Sequence, residues 1–233
     1  MAILLHIDAS VRALENENVS HNSISKGIAK SFVDTLLDKN PDTNYIYRDV
    51  GINPPPFINQ EWIGAVFTPE DNRTEQQRKI LSISDQLISE VTKAHIILIS
   101  SPMYNYGMPA QLKAWFDQIV RINKTFDFDL ERGDFPLKPM LSGKTLIIVT
   151  SCGEFGFDPK GIRAEANHLT PHLKTLSKYL GVDSIYEIHS EYQEFIDERH
   201  AQSVADAHSH AIALATELLE VSTDDALYTV NLI

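Results

Sequence analysis

An open parallel α/β sheet with helices on both faces is the fold class that this sequence predicts. Three short runs rich in Ile, Leu and Val carry the prediction: residues 2–10 (AILLHIDAS), 94–102 (AHIILISSP) and 145–153 (TLIIVTSCG). Each ends in small or turn-forming residues and reads as a strand buried on both faces. Segments of helical periodicity separate the runs. Alternation of β and α units lays the strands side by side in one direction.

The elements follow in order. After the first strand, SISKGIAKSFVDTLLDKN sets Ile24, Ile28, Phe32, Leu36 and Leu37 on one helical stripe. NYIYRDV (44–50) is a weaker strand, and NPPPF (53–57) reads as a rigid extended loop. RTEQQRKILSISDQLISEVTKA is a second helix, with Ile80, Ile83, Leu87 and Val91 on its stripe. PAQLKAWFDQIV follows the strand at 94–102 as a helix, and TPHLKTLSKYLG ends at Gly181, which suits a C-cap. VDSIYEIHS (182–190) gives the fifth strand, and the last helix spans roughly Asp197 to Glu220. Five strands and about five helices are the inventory of a flavodoxin-like three-layer α/β/α fold, with a five-stranded parallel sheet in the order 2-1-3-4-5. One domain is expected over residues 1–220, with 221–233 as a C-terminal tail.

Composition narrows the function. The 233 residues carry a formal net charge of −12, which repels nucleic acid and anionic membrane overall. A small anionic ligand remains compatible, because helix N-termini and loop amides bind phosphate locally. The single cysteine, Cys152, forms no disulfide within the chain and fits a reducing compartment. The start, MAILLHIDAS, lacks the basic and apolar regions of a secretory signal, and no apolar run approaches the roughly 20 residues of a membrane helix. The cytoplasm is the expected location.

In a sheet of this order, ligands sit beyond the carboxyl ends of the strands where the order reverses. That singles out the loops at 8–25, 101–110 and 151–161. The first offers Ser10 and the run Ser23, Ile24, Ser25 at a helix start. Those hydroxyls suit a phosphate cradle, although on this segment alone plain N-capping accounts for them. Neither G-x-G-x-x-G nor G-x-x-x-x-G-K-[ST] occurs, which argues against a Rossmann dinucleotide site or a P-loop. The second loop, SPMYNYGMPAQLKAW (101–115), combines Pro102, Pro109, Tyr104, Asn105 and Tyr106, with Gly107 expected to supply a positive φ or a close backbone approach. Its flat faces and amide suit a planar heterocycle. An aromatic turn packed on a neighbouring subunit fits the same residues, and both readings stay open at this point. The third loop, TSCGEFGFD (150–158), exposes amides around Ser151, Gly153 and Gly156. Cys152 has no histidine evidently placed to activate it and reads as a passive thiol.

Taken together, SPMYNYGMPAQLKAWFDQIVRINKTFDF, the Ser-x-Ser at Ser23 and Ser25, EQQRKILSISDQLI and TSCGEF resemble the FMN-dependent NADH-azoreductases, a branch of the flavodoxin-like quinone reductases. The resemblance covers about residues 2–220. It implies that Ser10, Ser23, Ile24 and Ser25 hold the FMN phosphate. Met103, Tyr104, Asn105 and Tyr106 would line the isoalloxazine ring, largely through backbone groups. Ser151, Cys152, Gly153 and Glu154 would border its pyrimidine edge, and Phe126 and Phe128 would lie near the substrate space. It further implies a homodimer, NADH or NADPH as hydride donor, and quinones or azo compounds as acceptors in a ping-pong cycle. The alternative is a flavodoxin-like electron carrier that binds FMN without turning over a small substrate. The cofactor carries the chemistry in either case, so no indispensable side-chain acid or nucleophile is expected.

Two departures from the family pattern stand out. The family's Ser-Arg-Gly-Gly after strand four reads Ser-Cys-Gly-Glu here, and Glu154 is expected to lower the flavin potential. The first loop is lengthened by RALENENV. Outside the loops, His200, His208 and His210 read as a solvated helix face, because an H-x-H pair on a helix points to different sides and makes a poor metal site. Trp115 reads as core or interface.

Overall fold

A computed structural model describes residues 2–230, with 220–230 described by their backbone alone. The strands are β1 (Ile3–Asp8), β2 (Asn44–Asp49), β3 (Ile96–Pro102), β4 (Phe126–Phe128), β5 (Leu137–Pro139), β6 (Lys144–Ser151) and β7 (Val182–Ser190). The helices are α1 (Ile24–Lys39), α2 (Gln60–Phe67), α3 (Glu75–Lys93), α4 (Ala110–Ile119), α5 (Thr170–Ser177) and α6 (Glu198–Val230). The main sheet has five strands in the order β2-β1-β3-β6-β7, all parallel, which is 2-1-3-4-5 among its own members. Side chains of the segment set apart as a tail, and residues 231–233 altogether, lie outside the described residues. Among the described residues no helix is long and apolar enough to cross a membrane.

The apolar runs are continuous because both faces of the sheet are covered. Successive strand residues point to opposite sides. Leu5, Ile7, Ile97, Ile99, Leu146 and Ile148 pack against Leu87, Val91, Leu112, Trp115 and Phe116 of α3 and α4. Leu4, Leu98, Ile147, Val149 and Ile188 face Ile28, Phe32 and Leu36 of α1 and Ala207, Ala211 and Leu214 of α6. The α1 stripe therefore lies where its periodicity placed it, and Trp115 is core.

The α3 stripe is rotated from the expected one. Leu81, Ser84, Leu87, Ile88 and Val91 point inward, whereas Ile83 is 41% exposed. A polar residue takes the inner position because buried groups beside it need partners. The Ser84 hydroxyl donates to the Gln118 carbonyl at 2.5 Å and receives the Arg121 guanidinium at 2.7 Å. Two elements were not expected at all. Helix α2 interrupts the extended segment after NPPPF. It is capped by Asn59, whose side chain accepts from Trp62 N at 2.8 Å, and anchored by Trp62 Nε1 donating to Gln118 Oε1 at 2.9 Å. The β4/β5 hairpin closes the connection between α4 and β6.

His6 and Asp8 continue the Leu4 face of β1 beneath α1, and both are buried. Buried polar groups need partners. Asp8 Oδ1 meets His6 Nε2 at 2.9 Å and also accepts from the Ser100 hydroxyl, while Tyr47 OH donates to Asp8 Oδ2 at 2.7 Å. Beside them Lys26 of α1 pairs with Asp49 at 2.6 Å. Burial by itself raises the Asp8 pKa. The hydrogen bond and charge of His6, with Ser100 and Tyr47, outweigh that, and the carboxyl titrates below its ordinary range. A carboxyl with a lowered folded pKa stabilises the fold above its unfolded pKa, about 3.9, and loses that contribution as pH falls through the folded value. In urea unfolding, Asp8→Asn should therefore be less stable than wild type at pH 7, with the gap narrowing below about pH 4. A gap that stays constant with pH would contradict this account of the network.

Candidate functional site

The carboxyl ends of β1, β3 and β6 meet at one edge of the sheet. Main-chain bonds tie the turns that follow to the neighbouring strand: Ala9 N to Ser100 O at 2.8 Å, Met103 N to Ser151 O at 2.9 Å and Cys152 N to Ser190 O at 2.8 Å. Between these turns opens a cleft of about 550 Å³ lined by Ser10, Ser23, Ile24, Met103, Tyr104, Ser151 and Gly153 from the three anticipated loops. Arg12, Ser20, Asn22, Pro102, Gln193, Glu194, Ile196 and His200 complete its wall.

The first loop approaches from one side. Ser10 is buried, and its hydroxyl accepts from Arg12 N at 3.1 Å. Gly51 backs it so closely that a Cβ there would come within 2.0 Å of the Ser10 carbonyl oxygen. Ser23 caps α1, its hydroxyl accepting from Lys26 N at 3.4 Å, so the capping reading of that serine holds. Ser25 is fully buried behind the helix start, 3.4 Å from Ser23 between hydroxyls. The lengthened stretch is folded into a collar. Ser23 N donates to Ala13 O at 2.9 Å, and the short 3₁₀ turn Val19–His21 is capped by Asn18.

The second loop makes a tight turn. Tyr104 and Gly107 exchange both backbone hydrogen bonds, at 3.2 and 3.0 Å. The positive φ angles fall at Asn105 (47°) and Tyr106 (66°); Gly107, where a positive φ or a close backbone approach was expected, has neither, since a Cβ there would meet nothing within 4 Å. Two consecutive left-handed residues match the twist of a hairpin turn. Asn tolerates that region; a tyrosine there needs outside support. Tyr106 has it: its OH donates to Glu154 at 3.0 Å, and its carbonyl accepts from His168 N at 2.9 Å. The carboxylate holds this exposed phenol above its usual range. Asn105 and Tyr106 stand exposed at the rim, and Tyr104 OH accepts from Val11 N at 3.3 Å, joining the second loop to the first.

The third loop divides its residues. Ser151 and Gly153 face the cleft, with the Glu194 side chain lying against Gly153. Cys152 is turned away, into a separate polar cavity of about 300 Å³ with Met103, Thr150 and Phe157. Burial, then the charges of Glu191 and Asp158, push its thiol up to about 12. Glu154 is not a lone negative charge, because Arg163 pairs with it at 2.9 Å and also lies 4.7 Å from the Phe155 ring centroid. The negative charge expected beside a flavin is therefore half of an ion pair. The family's cation is replaced from a position eleven residues beyond the motif's own.

Phe126 and Phe128 lie elsewhere, in an apolar groove of about 540 Å³ with Ile58, Trp62, Phe116 and Leu137. The histidines also depart from a uniformly solvated face. His210 is exposed, but His208 is half-buried with Nδ1 2.7 Å from the Ser31 hydroxyl, and His200 lines the cleft. Among the described residues no group of three or more His, Cys, Asp or Glu is placed to hold a metal. The sequence reading missed Arg12, Ser20, Asn22 and His200. A collar beginning directly at Ser10, and a helix start following the fifth strand at the same sheet edge, are the signals that could have found them.

A doubly wound α/β protein with an amphipathic cleft at its topological switch point is the class that this fold and site define. Residues 4–214 match the family described as having a flavodoxin-like fold. The chain is 67% identical over 227 residues to the FMN-dependent NADH:quinone oxidoreductase 2 of Idiomarina loihiensis, covering 97% of this chain and 94% of that one. It is 57% identical to the protein of the same name from Colwellia psychrerythraea, covering 94% and 100%. A solved FMN-dependent NADH-azoreductase from Bacillus anthracis in complex with FMN shares the fold with a TM-score of 0.79, at 16% identity and 94% and 99% coverage. This chain belongs to the flavodoxin-like family, alongside these oxidoreductases.

The buried thiol yields a test. With its pKa near 12, Cys152 stays protonated at pH 8 and its alkylation by iodoacetamide should be far slower than that of a free thiol. Rapid labelling of the folded chain would contradict the passive assignment.

Proposed function

We propose that this chain is an FMN-dependent oxidoreductase that passes two electrons from NADH or NADPH to quinones and aromatic azo compounds. The observation that carries the reading is the 67% identity, over 97% of the chain, to an FMN-dependent NADH:quinone oxidoreductase. The cleft fits the cofactor. Ser10, Ser20, Asn22, Ser23 and Arg12 in its wall suit a phosphate. Pro102, Met103, Tyr104 and the Gly153 backbone suit a flat ring.

Bound FMN supplies the two-electron chemistry, accepting hydride from the nicotinamide and handing both electrons to the acceptor. The chain's part is binding, orientation and local charge. Ser10, Ser23 and Ile24 hold the phosphate at the N-terminus of α1, where free amides and the helix dipole favour an anion, and the fully buried Ser25 supports that turn from behind. Met103, Tyr104, Asn105 and Tyr106 shape the ring pocket through a turn whose backbone is fixed by both of its hydrogen bonds. Ser151 and Gly153 border the ring edge. Cys152 supports that loop from behind, and Glu154 acts as half of an ion pair, so its effect on the flavin potential is offset by Arg163. Donor and acceptor use the same ring face in turn, which gives ping-pong kinetics.

A homodimer and a cytoplasmic location belong to the same proposal. Support for the dimer comes from exposed apolar side chains: Phe67 in the groove, and Phe57, Leu130, Phe135 and Met140, are each at least half exposed. Phe126 and Phe128 would then reach the substrate space by way of a subunit boundary. Light scattering should give twice the 26.2 kDa chain mass, and a strictly monomeric chain would remove this part of the reading.

The activity is tested by adding each nicotinamide anaerobically to FMN-reconstituted protein and following the flavin absorbance. Bleaching, with recovery of the oxidised spectrum when a quinone is added, is the expected result. Flavin that binds but is not reduced without a second protein would favour the electron carrier.

A further inference from the structure

The loop after β7, residues 191–197, forms a wall of the cleft that the resemblance does not use. Gln193, Glu194 and Ile196 line the cleft from it. Glu194 is the one carboxylate among the residues that line the cleft, and it stands exposed there. Its side chain lies against Gly153, where a Cβ would come within 2.7 Å of Glu194 Oε1 and 2.9 Å of Glu194 Cγ. Gly153 is also the residue expected at the pyrimidine edge of a flavin ring. A glycine at that position leaves the carboxylate its place at the cleft wall.

The segment that carries this carboxylate is fixed. Tyr192 N donates to Glu154 O at 3.1 Å, Gln193 N to Cys152 O at 3.2 Å and Glu194 N to Gly153 O at 3.0 Å, a ladder that fastens it to the loop after β6. Tyr192 stacks on Phe155 with ring centroids 4.6 Å apart and planes 16° apart. The two arginines that reach these rings are committed elsewhere. Arg163, 4.7 Å from the Phe155 centroid, pairs with Glu154 at 2.9 Å. Arg199, 5.0 Å from the Tyr192 centroid, pairs with Asp197 at 2.6 Å. Among the described residues no Lys, Arg or His lies within ion-pair distance of Glu194, Arg12 and His200 of the same cleft wall included. Its charge reaches the second loop as well. The Tyr106 phenol is held above its usual range first by the hydrogen bond and charge of Glu154, and in smaller part by the charge of Glu194.

We infer that Glu194, and not Glu154, is the negative charge that holds down the reduction potential of FMN in this cleft. The inference rests on the reading of the cleft as the FMN site. Hydride transfer brings two electrons and one proton, so the reduced ring carries one more negative charge, on its pyrimidine half. An unpaired carboxylate beside that half disfavours the reduced form. One that is neutralised by a guanidinium does so much less. Glu154 is paired in this way and Glu194 is not. The reduced cofactor is then a stronger donor toward a quinone or azo acceptor, and the nicotinamide has less driving force to reduce it.

The experiment measures the midpoint potential of bound FMN by anaerobic reduction against a reference dye. Wild type, Glu194→Gln and Glu194→Asp are each measured at low and high salt. Glu194→Gln should raise the potential, shifting the reduced-to-oxidised ratio by about tenfold, or about 30 mV for a two-electron couple. Glu194→Asp, which keeps the charge, should stay close to wild type. The gap between wild type and Glu194→Gln should narrow at high salt, because a charge open to the cleft is screened; a purely structural role gives no such narrowing. An unchanged potential in Glu194→Gln, an equal shift in Glu194→Asp, or a gap indifferent to salt would overturn the inference while leaving the cofactor reading in place. Failure of the wild-type chain to bind FMN would remove that reading, and the inference with it.

Discussion

The structure depends on the level at which β1, β3 and β6 end. Each strand is buried on both faces, so none can slip against its neighbours without exposing apolar side chains to one side and leaving ladder bonds unmade on the other. Parallel order then forces all the carboxyl ends to one edge. The hydrogen bonds from Ala9, Met103 and Cys152 to Ser100, Ser151 and Ser190 carry that alignment one residue beyond the strands. Ser10, Tyr104 and Gly153 inherit their positions from it. The close contact of Gly51 with Ser10 shows how little room the turn after β1 has to move.

Charge is managed group by group on this acidic chain. Asp8 is answered by His6, Asp49 by Lys26 and Glu154 by Arg163. The Arg163 pairing bears on function, because it restores a cation to a loop whose motif has lost one. It also ties the exposed Tyr106 phenol, through Glu154, to the same ion pair. In the cleft itself Arg12 stands in the wall together with the carboxylate Glu194. The cleft wall combines the polar Ser10, Ser20, Asn22 and Ser23 with Met103 and Tyr104. That mixture of groups suits a molecule that carries both a phosphate and a flat ring.

Much of this was legible in the residues. Continuous apolar runs fixed the strands because burial on both faces leaves an unambiguous pattern, and the α1 stripe followed from simple periodicity. The α3 stripe was misjudged because Ser84 is inside for a reason that no helix pattern carries: the needs of Arg121 and Gln118 from α4 and the turn after it. Helix α2 was hidden in a short segment after a run of prolines, where its Asn59 cap and Trp62 anchor are tertiary facts. In the cleft, the serines, Met103, Tyr104 and Gly153 came from loop position and family motif together. Asn105 and Tyr106, rather than Gly107, took the left-handed conformations because Glu154 and His168 brace the turn. Cys152 turned away because successive residues leaving a strand alternate sides. His200 escaped notice because its distance along the chain says nothing of where a helix begins in space.

The most direct measurement of the central claim is a crystal structure of the protein grown with FMN. The account predicts density in the cleft between the turns after β1, β3 and β6, with the phosphate at the start of α1 and the ring along Met103 to Tyr106. Density confined to the apolar groove beside α2, or an ordered protein side chain filling the cleft in its place, would contradict it.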